Sequence, residues 1–215
     1  WGPNDAFGTD AALPTILTVM QQHSQFPGKK LAVLYELESV GDPSAQQIKS
    51  HLQYLETRAF DHPNYLRIEG KPVLFVYAAP NINPPVLARW KQARQLYKKP
   101  LYLVMQVYDG WQGDPNQPNS WYQYATAPEG YLNGAAWPHS VTVCPGFAKP
   151  NEPPFLVRDP AAFDVAVAQM VTSGVPIQLV TSFNEWGEGT IVEPATEFAG
   201  ENHTEYLDIL AAHFT

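Results

Sequence analysis

The feature that most restricts the fold is a repeated alternation of short apolar runs with longer amphipathic stretches. "LAVLYELE" (31–38), "KPVLFVYAAP" (71–80), "LYLVMQVYD" (101–109), "SVTVCPG" (140–146) and "IQLVTSF" (177–183) are nearly continuous in apolar, β-branched and aromatic residues. Runs of that kind read as strands buried on both faces. The stretches between them have helical spacing. "SAQQIKSHLQYLETRAF" (44–60) carries Ile48, Leu52, Leu55 and Phe60 on one side, with Ser44 as N-cap. "PPVLARWKQARQLYKK" (84–99) begins with prolines and ends with lysines, as the helix dipole favours. "DPAAFDVAVAQMVTSG" (159–174) starts at Asp159 and Pro160 and stops at Gly174. "DAALPTILTVMQQH" (10–23) and "HTEYLDILAAHF" (203–214) are also helical. Strands alternating with helices predict an α/β fold with a parallel, covered sheet.

Two architectures compete, an open doubly wound sheet and a (β/α)8 barrel. No G-x-G-x-x-G or P-loop follows any strand, which weakens a nucleotide-binding sheet. The C-terminal ends of the runs are rich in polar and aromatic groups: Tyr35 and Glu36, Tyr77, then Gln106, Tyr108 and Asp109. Tyr122 and Tyr124 follow from a short strand near "SWYQYA", and Asn184, Glu185 and Trp186 from the last strand. Barrels place their chemistry at these ends, so the pattern favours a TIM-type (β/α)8 barrel. About six strands are readable, against the eight strands and ~250 residues of a whole barrel. The expectation is one catalytic barrel domain over residues 1–215, a fragment lacking the first strands. Open apolar edges at "LAVLY" and "IQLVT" would then invite association.

Composition narrows the partners. The chain has 215 residues, 45% hydrophobic and 16% charged, with a formal net charge of -8. That balance suits a packed core and disfavours a phosphate backbone, so nucleic acid is not expected, whereas neutral sugars fit. The single cysteine, Cys144, lies in an apolar run and reads as a small core residue. No zinc spacing occurs, and His62, His139 and His203 form no metal pattern. Asp109, Asp114 and Asn116 match no EF-hand spacing and read as a loop, so no metal or other cofactor is expected. No run is long enough for a membrane span, and "WGPND" at the start has no secretory n-region or h-region. "NHT" at 202–204 is a bare glycosylation sequon, a pattern that arises often by chance.

The last strand leads into "TSFNEWGEGT", which sets Glu185 and Glu188 three residues apart with no Lys or Arg between them. Glycoside cleavage needs a proton donor at the leaving oxygen and a second carboxylate facing the sugar. Solvated loop acids are the plain alternative. Trp186 and Trp111, the latter near Gly110 and Gly113, are core residues or platforms for sugar C–H faces. Glu36 is a substrate-binding acid or half of an ion pair.

Asn184, Glu185, Trp186, Glu188, Gly189 and Thr190, with Glu193 beyond, resemble the Asn-Glu-Trp-x-Glu-Gly-Thr motif of glycoside hydrolase family 99, the endo-α-mannosidase and endo-α-mannanase group. "WGP", "VLYELE" and "VTVCPGF" are similar to other pieces of that barrel. Members with endo-mannosidase activity usually carry His between the Trp and the second Glu. This chain has Gly187, as in related proteins of bacterial polysaccharide loci. The resemblance implies retaining hydrolysis of α-mannoside-type or related polysaccharide linkages. Glu185 would take the proton of the sugar 2-hydroxyl, which attacks the anomeric carbon to give a 1,2-anhydro sugar. Glu188 would protonate the leaving group and then activate water. Burial and the neighbouring carboxylate should raise the Glu188 pKa. Tyr35, Glu36, Tyr77, Gln106, Tyr108, Trp111, Tyr124, Asn184 and Trp186 are the expected substrate contacts. An extracellular or periplasmic location is favoured. A carbohydrate-binding or polysaccharide-assembly protein with the same pocket is the alternative. An unrelated hydrolase is disfavoured because no G-x-S-x-G elbow precedes a helix.

Overall fold

In the computed structural model the apolar runs become strands and the amphipathic stretches become helices. It describes residues 1–4, 8–23, 27–36, 41–77, 86–108, 110–124, 136–195 and 204–214. Asp109, His203 and the ends of the 31–38 and 71–80 runs lie outside these residues. The chain divides into two units, Trp1–Ser120 and Trp121–Thr215.

The first unit holds a parallel sheet of β1 (Val33–Tyr35), β3 (Lys71–Val76) and β4 (Tyr102–Gln106), with β3 in the middle. Val33 pairs with Leu74, and Val73 with Tyr102. Val73, Leu74, Val76, Leu103, Val104 and Met105 are all buried, as expected of strands covered on both faces. Tyr65 fastens β1 to β3: its hydroxyl accepts the Val33 N–H (3.1 Å) and donates to the Val73 carbonyl (2.8 Å). Burial holds that phenol protonated far above its usual range.

Three helices accompany this sheet: α1 (Thr9–Gln22), α2 (Ala45–Leu55) and α3 (Val86–Tyr97). Ser44 caps α2 in a capping box, its hydroxyl accepting the Gln47 N–H while the Gln47 side chain accepts the Ser44 N–H. A π-helical turn, Glu56–Phe60, extends α2. One element has no counterpart in the sequence pattern. β2 (Arg67–Ile68) pairs antiparallel with the start of β3. Its two-residue turn has Glu69 at φ 51° and Gly70 at φ 72°. Both central residues at positive φ make a type I′ hairpin.

The second unit carries β5 (Ser120–Tyr122) at the point of division. Beyond it lie β6 (Ser140–Val143) and β7 (Ile177–Val180), which pair in parallel with Val143 opposite Val180. The crossover between them is α4 (Pro160–Thr172), and α5 (Glu205–His213) follows β7. Asp159 caps α4, accepting the N–H groups of Ala161 and Ala162. Val141, Val143, Phe163, Val167, Met170 and Tyr206 form the core here. The architecture is α/β with parallel strands and helices. Among the described residues no sheet closes on itself.

Candidate active site

Both glutamates stand on the loop that leaves β7. Thr181 continues the pairing, its N–H on the Val143 carbonyl (3.0 Å) and its hydroxyl on the Tyr124 carbonyl. The Thr181–Ser182 peptide is cis. Ser182 then closes the loop at its base. Its N–H donates to the Thr190 carbonyl (2.8 Å), and its hydroxyl pairs with the Thr190 hydroxyl (2.7 Å). The same Ser182 Oγ accepts the Glu185 N–H (2.9 Å). Val192 and Glu193 return N–H bonds to the carbonyls of Ser182 and Phe183. Thr190 is fully buried, so the loop is anchored from below by a hydroxyl pair.

Within the loop, Trp186–Glu188 make one turn of 3-10 helix. The Glu185 carboxylate caps it by accepting the Gly187 N–H (3.1 Å). A Cβ at Gly187 would lie 3.1 Å from Glu185 Oε1, so any side chain there crowds that carboxylate. Gly189 ends the turn at φ 62°, a left-handed conformation that favours glycine.

The two acids have different surroundings. Glu185 is exposed, while Glu188 is partly buried and its Oε2 has no hydrogen-bond partner. Burial raises the Glu188 pKa, and the Glu185 carboxylate beside it raises it further. The Lys149 ammonium and a hydrogen bond from Tyr124 oppose the shift. Glu188 therefore holds its proton to higher pH than an ordinary glutamate. Trp186 is 48% exposed, and its indole N–H is bonded to Glu193 Oε2 (2.9 Å), which orients the ring. Asn184 is exposed beside it, and its carbonyl accepts the Trp186 N–H. So Tyr124, Asn184, Glu185, Trp186 and Glu188 share one region of the second unit.

The remaining expected contacts lie in the first unit, at the C-terminal ends of its parallel strands. Glu36 and Tyr77 follow β1 and β3, and Gln106 ends β4. Gln106 Oε1 is buried without a hydrogen-bond partner. Tyr108 meets Trp111 edge-on at 5.0 Å. Burial and nearby Tyr77 push the Tyr108 phenol up to about 12. Glu36 is exposed. Tyr35 differs from the others. It is fully buried, with its hydroxyl on His51 Nδ1 (2.9 Å) and Trp90 edge-on at 5.2 Å. Its side chain packs into the helix layer, because successive residues of a strand face opposite ways.

Two residues of the loop's support, Ser182 and Arg158, carry no local sequence signal. Ser182 and Thr190 act as a pair eight residues apart, and Arg158 bonds the Gly189 and Ile191 carbonyls from more than 30 residues away. Cys144 is buried, with its thiol on the Gly146 carbonyl (2.8 Å), and burial pushes it up to about 11. Asp114 accepts the Asn116 N–H (2.7 Å) as a local turn. Among the described residues no group of His, Cys, Asp and Glu is placed to hold a metal ion, and no helix is long and apolar enough to cross a membrane.

No protein-family model matches the chain, and no curated protein matches it. Solved structures do. A structure of the GH99 endo-alpha-mannosidase from Bacteroides thetaiotaomicron is similar over 99% of this chain and 73% of its own, with a TM-score of 0.73 and 20% identity. A second structure, in complex with Bis-Tris-propane, gives 0.73 and 21% over 99% of this chain and 76% of its own. The chain therefore has a GH99-like fold.

Proposed function

We propose that this protein is a glycoside hydrolase acting on α-mannoside-type or related polysaccharide linkages, on a barrel of the (β/α)8 type that forms one catalytic domain. The observation that carries the proposal is Glu188. It is a partly buried carboxyl with raised proton affinity and an unpartnered oxygen, three residues from an exposed carboxylate at the end of a parallel strand. A carboxyl whose surroundings raise its proton affinity suits the acid of an acid–base pair, with the neighbouring carboxylate as its partner. The GH99-like fold and the motif around them favour the same chemistry.

In the proposed reaction the Glu185 carboxylate takes the proton of the sugar 2-hydroxyl. The 2-oxygen attacks the anomeric carbon as the glycosidic bond breaks, and Glu188 gives its proton to the leaving oxygen. Water then opens the 1,2-anhydro ring at the anomeric carbon. Glu188, now ionised, takes the water proton, and Glu185 returns its proton to the 2-oxygen. Two inversions give net retention. No cofactor enters this balance. Trp186, half-exposed and oriented by its bond to Glu193, is the proposed platform for a sugar face, and Asn184 and Tyr124 flank the acids. Glu36, Tyr77, Gln106, Tyr108 and Trp111 are the proposed sugar contacts of the first unit. Tyr35 supports them from the core.

The test is turnover of yeast α-mannan, α-linked manno-oligosaccharides and their 4-methylumbelliferyl glycosides, with E185Q and E188Q as controls. New reducing ends that both substitutions abolish support the proposal. Binding of these glycans by calorimetry without any turnover favours the carbohydrate-binding alternative, and absence of both removes the sugar reading.

A further inference from the structure

We infer that Arg158 is the positioning residue for Glu188, fixing its carboxyl by clamping the two carbonyls that follow it in the loop. The inference rests on the proposed acid–base roles but stands on its own contacts. Arg158 Nη1 donates to the Gly189 carbonyl and to the Ile191 carbonyl, both at 3.0 Å. The same 144–158 segment reaches Glu188 itself, because the Ala148 N–H donates to the Glu188 carbonyl (2.8 Å). Carbonyls 188, 189 and 191 are thus all held from one segment distant in sequence. Without those donors, the left-handed turn at Gly189 would leave its carbonyls to water.

The arginine is itself held on two sides. Its guanidinium carbon sits 4.3 Å from the centre of the buried Tyr206 ring, a cation–π contact. Its stem lies so close to Gly146 that a Cβ there would meet Arg158 Cγ at 2.3 Å. The paired Phe147 and Leu156 bring residues 146 and 158 together. A routine surface role does not account for this placement. Arg158 directly precedes the N-cap of α4, where a cation is disfavoured by the helix dipole, and the two hydrogen bonds of its Nη1 go to backbone carbonyls. The titratable and charged groups around the site are Glu185, Lys149, Tyr124, Cys144 and Arg158. Arg158 acts on where the Glu188 carboxyl sits among the others.

The test is carboxyl carbon NMR of the full chain carrying carbon-13 glutamate, with the Glu188 signal assigned by its loss in E188Q. Two variants approach the clamp from opposite sides. R158K keeps the charge and most of the stem, but its ammonium ends one atom short of the Nη1 position and lacks the planar face that stacks on Tyr206. G146A leaves Arg158 intact and displaces its stem. In both, with near-UV circular dichroism still native, the Glu188 titration midpoint should fall toward the ordinary value of ~4.3. On any substrate that is turned over, kcat should drop at least about tenfold with KM little changed. An unchanged Glu188 midpoint in both folded variants overturns the inference. If either variant fails to fold, the native chain decides. Scalar couplings from Arg158 Nη to the Gly189 and Ile191 carbonyl carbons must be present, and their absence overturns the clamp. If no glycan is cleaved, the NMR result still decides the clamp, and only the hydrolase proposal fails.

Discussion

Glu185 and Glu188 are chemically identical and three positions apart, so their environments must assign their roles. Burial and the Glu185 charge raise the pKa of Glu188. A carboxyl that binds its proton more tightly in the folded state stabilises the fold fully below its unfolded value of ~4.3. That contribution is lost as pH rises through the folded value. Above that folded value the ionised Glu188 therefore costs stability. E188Q should melt higher than the native chain there and level with it below about pH 4, by calorimetry. Turnover should fall as pH rises through the native Glu188 pKa, because the proton donor is then gone. E188Q should lose about 10²–10⁴-fold on substrates with poor leaving groups, the span usual for general acid catalysis. An aryl glycoside, which departs unaided, should lose far less in its first step. The position of the glutamates and Trp186 on the loop after the last strand was legible in the sequence because the motif is local. Tyr35 was misleading: at a strand end it has the same composition as a mouth residue, and only the two-residue alternation turns it toward His51 and Trp90.

Elements were legible where their signals are local and hidden where they depend on distant partners. Ser44 with Gln47, and Asp159 with Pro160, are start signals readable from the letters, and both cap their helices. Asp159→Ala removes the acceptor for two N–H groups and should lower unfolding stability by about 1 kcal/mol in urea titrations. The β2–β3 hairpin escaped notice because Glu69–Gly70 lacks the Asn-Gly or Asp-Gly signature, and a non-glycine residue adopts positive φ there. The loop after β7 was located by its motif, but its support was not, because Ser182 and Arg158 act across chain separations of eight residues or more. The two motif glycines separate conformation from space. Gly189 has φ 62° with only ordinary contacts around a Cβ, so Gly189→Ala should cost roughly 1–2 kcal/mol through backbone strain alone. Gly187 carries no such constraint, but a Cβ there meets Glu185 Oε1 at 3.1 Å. Gly187→Ala should thus leave the melting temperature nearly unchanged and act on catalysis through Glu185.

At the scale of the whole molecule, alternating apolar runs specified an α/β chain with parallel strands, and the net charge of -8 directed attention to neutral ligands. Neither fixes a reaction, and a GH99-like fold at 20% identity fixes none either. The chemistry must be read from how the protein treats its substrate. Two retaining routes share the same acids and the same product configuration, so product analysis alone does not separate them. In one, a carboxylate attacks the anomeric carbon and a glycosyl ester forms on the enzyme. In the other, proposed here, the sugar's own 2-oxygen attacks after Glu185 removes its proton. The routes diverge when the 2-hydroxyl is deleted. A 2-deoxy α-glycoside lacks the nucleophile of the second route but leaves the first intact, and its glycosidic bond is intrinsically easier to break. Against the electronic trend, the 2-deoxy substrate should be inert with the native enzyme, and E185Q should fail on natural and aryl substrates alike. Mass spectrometry of the protein quenched during turnover should show no sugar ester on Glu185. Such an adduct, or normal cleavage of the 2-deoxy substrate, would assign Glu185 as a nucleophile and remove the base role proposed for it.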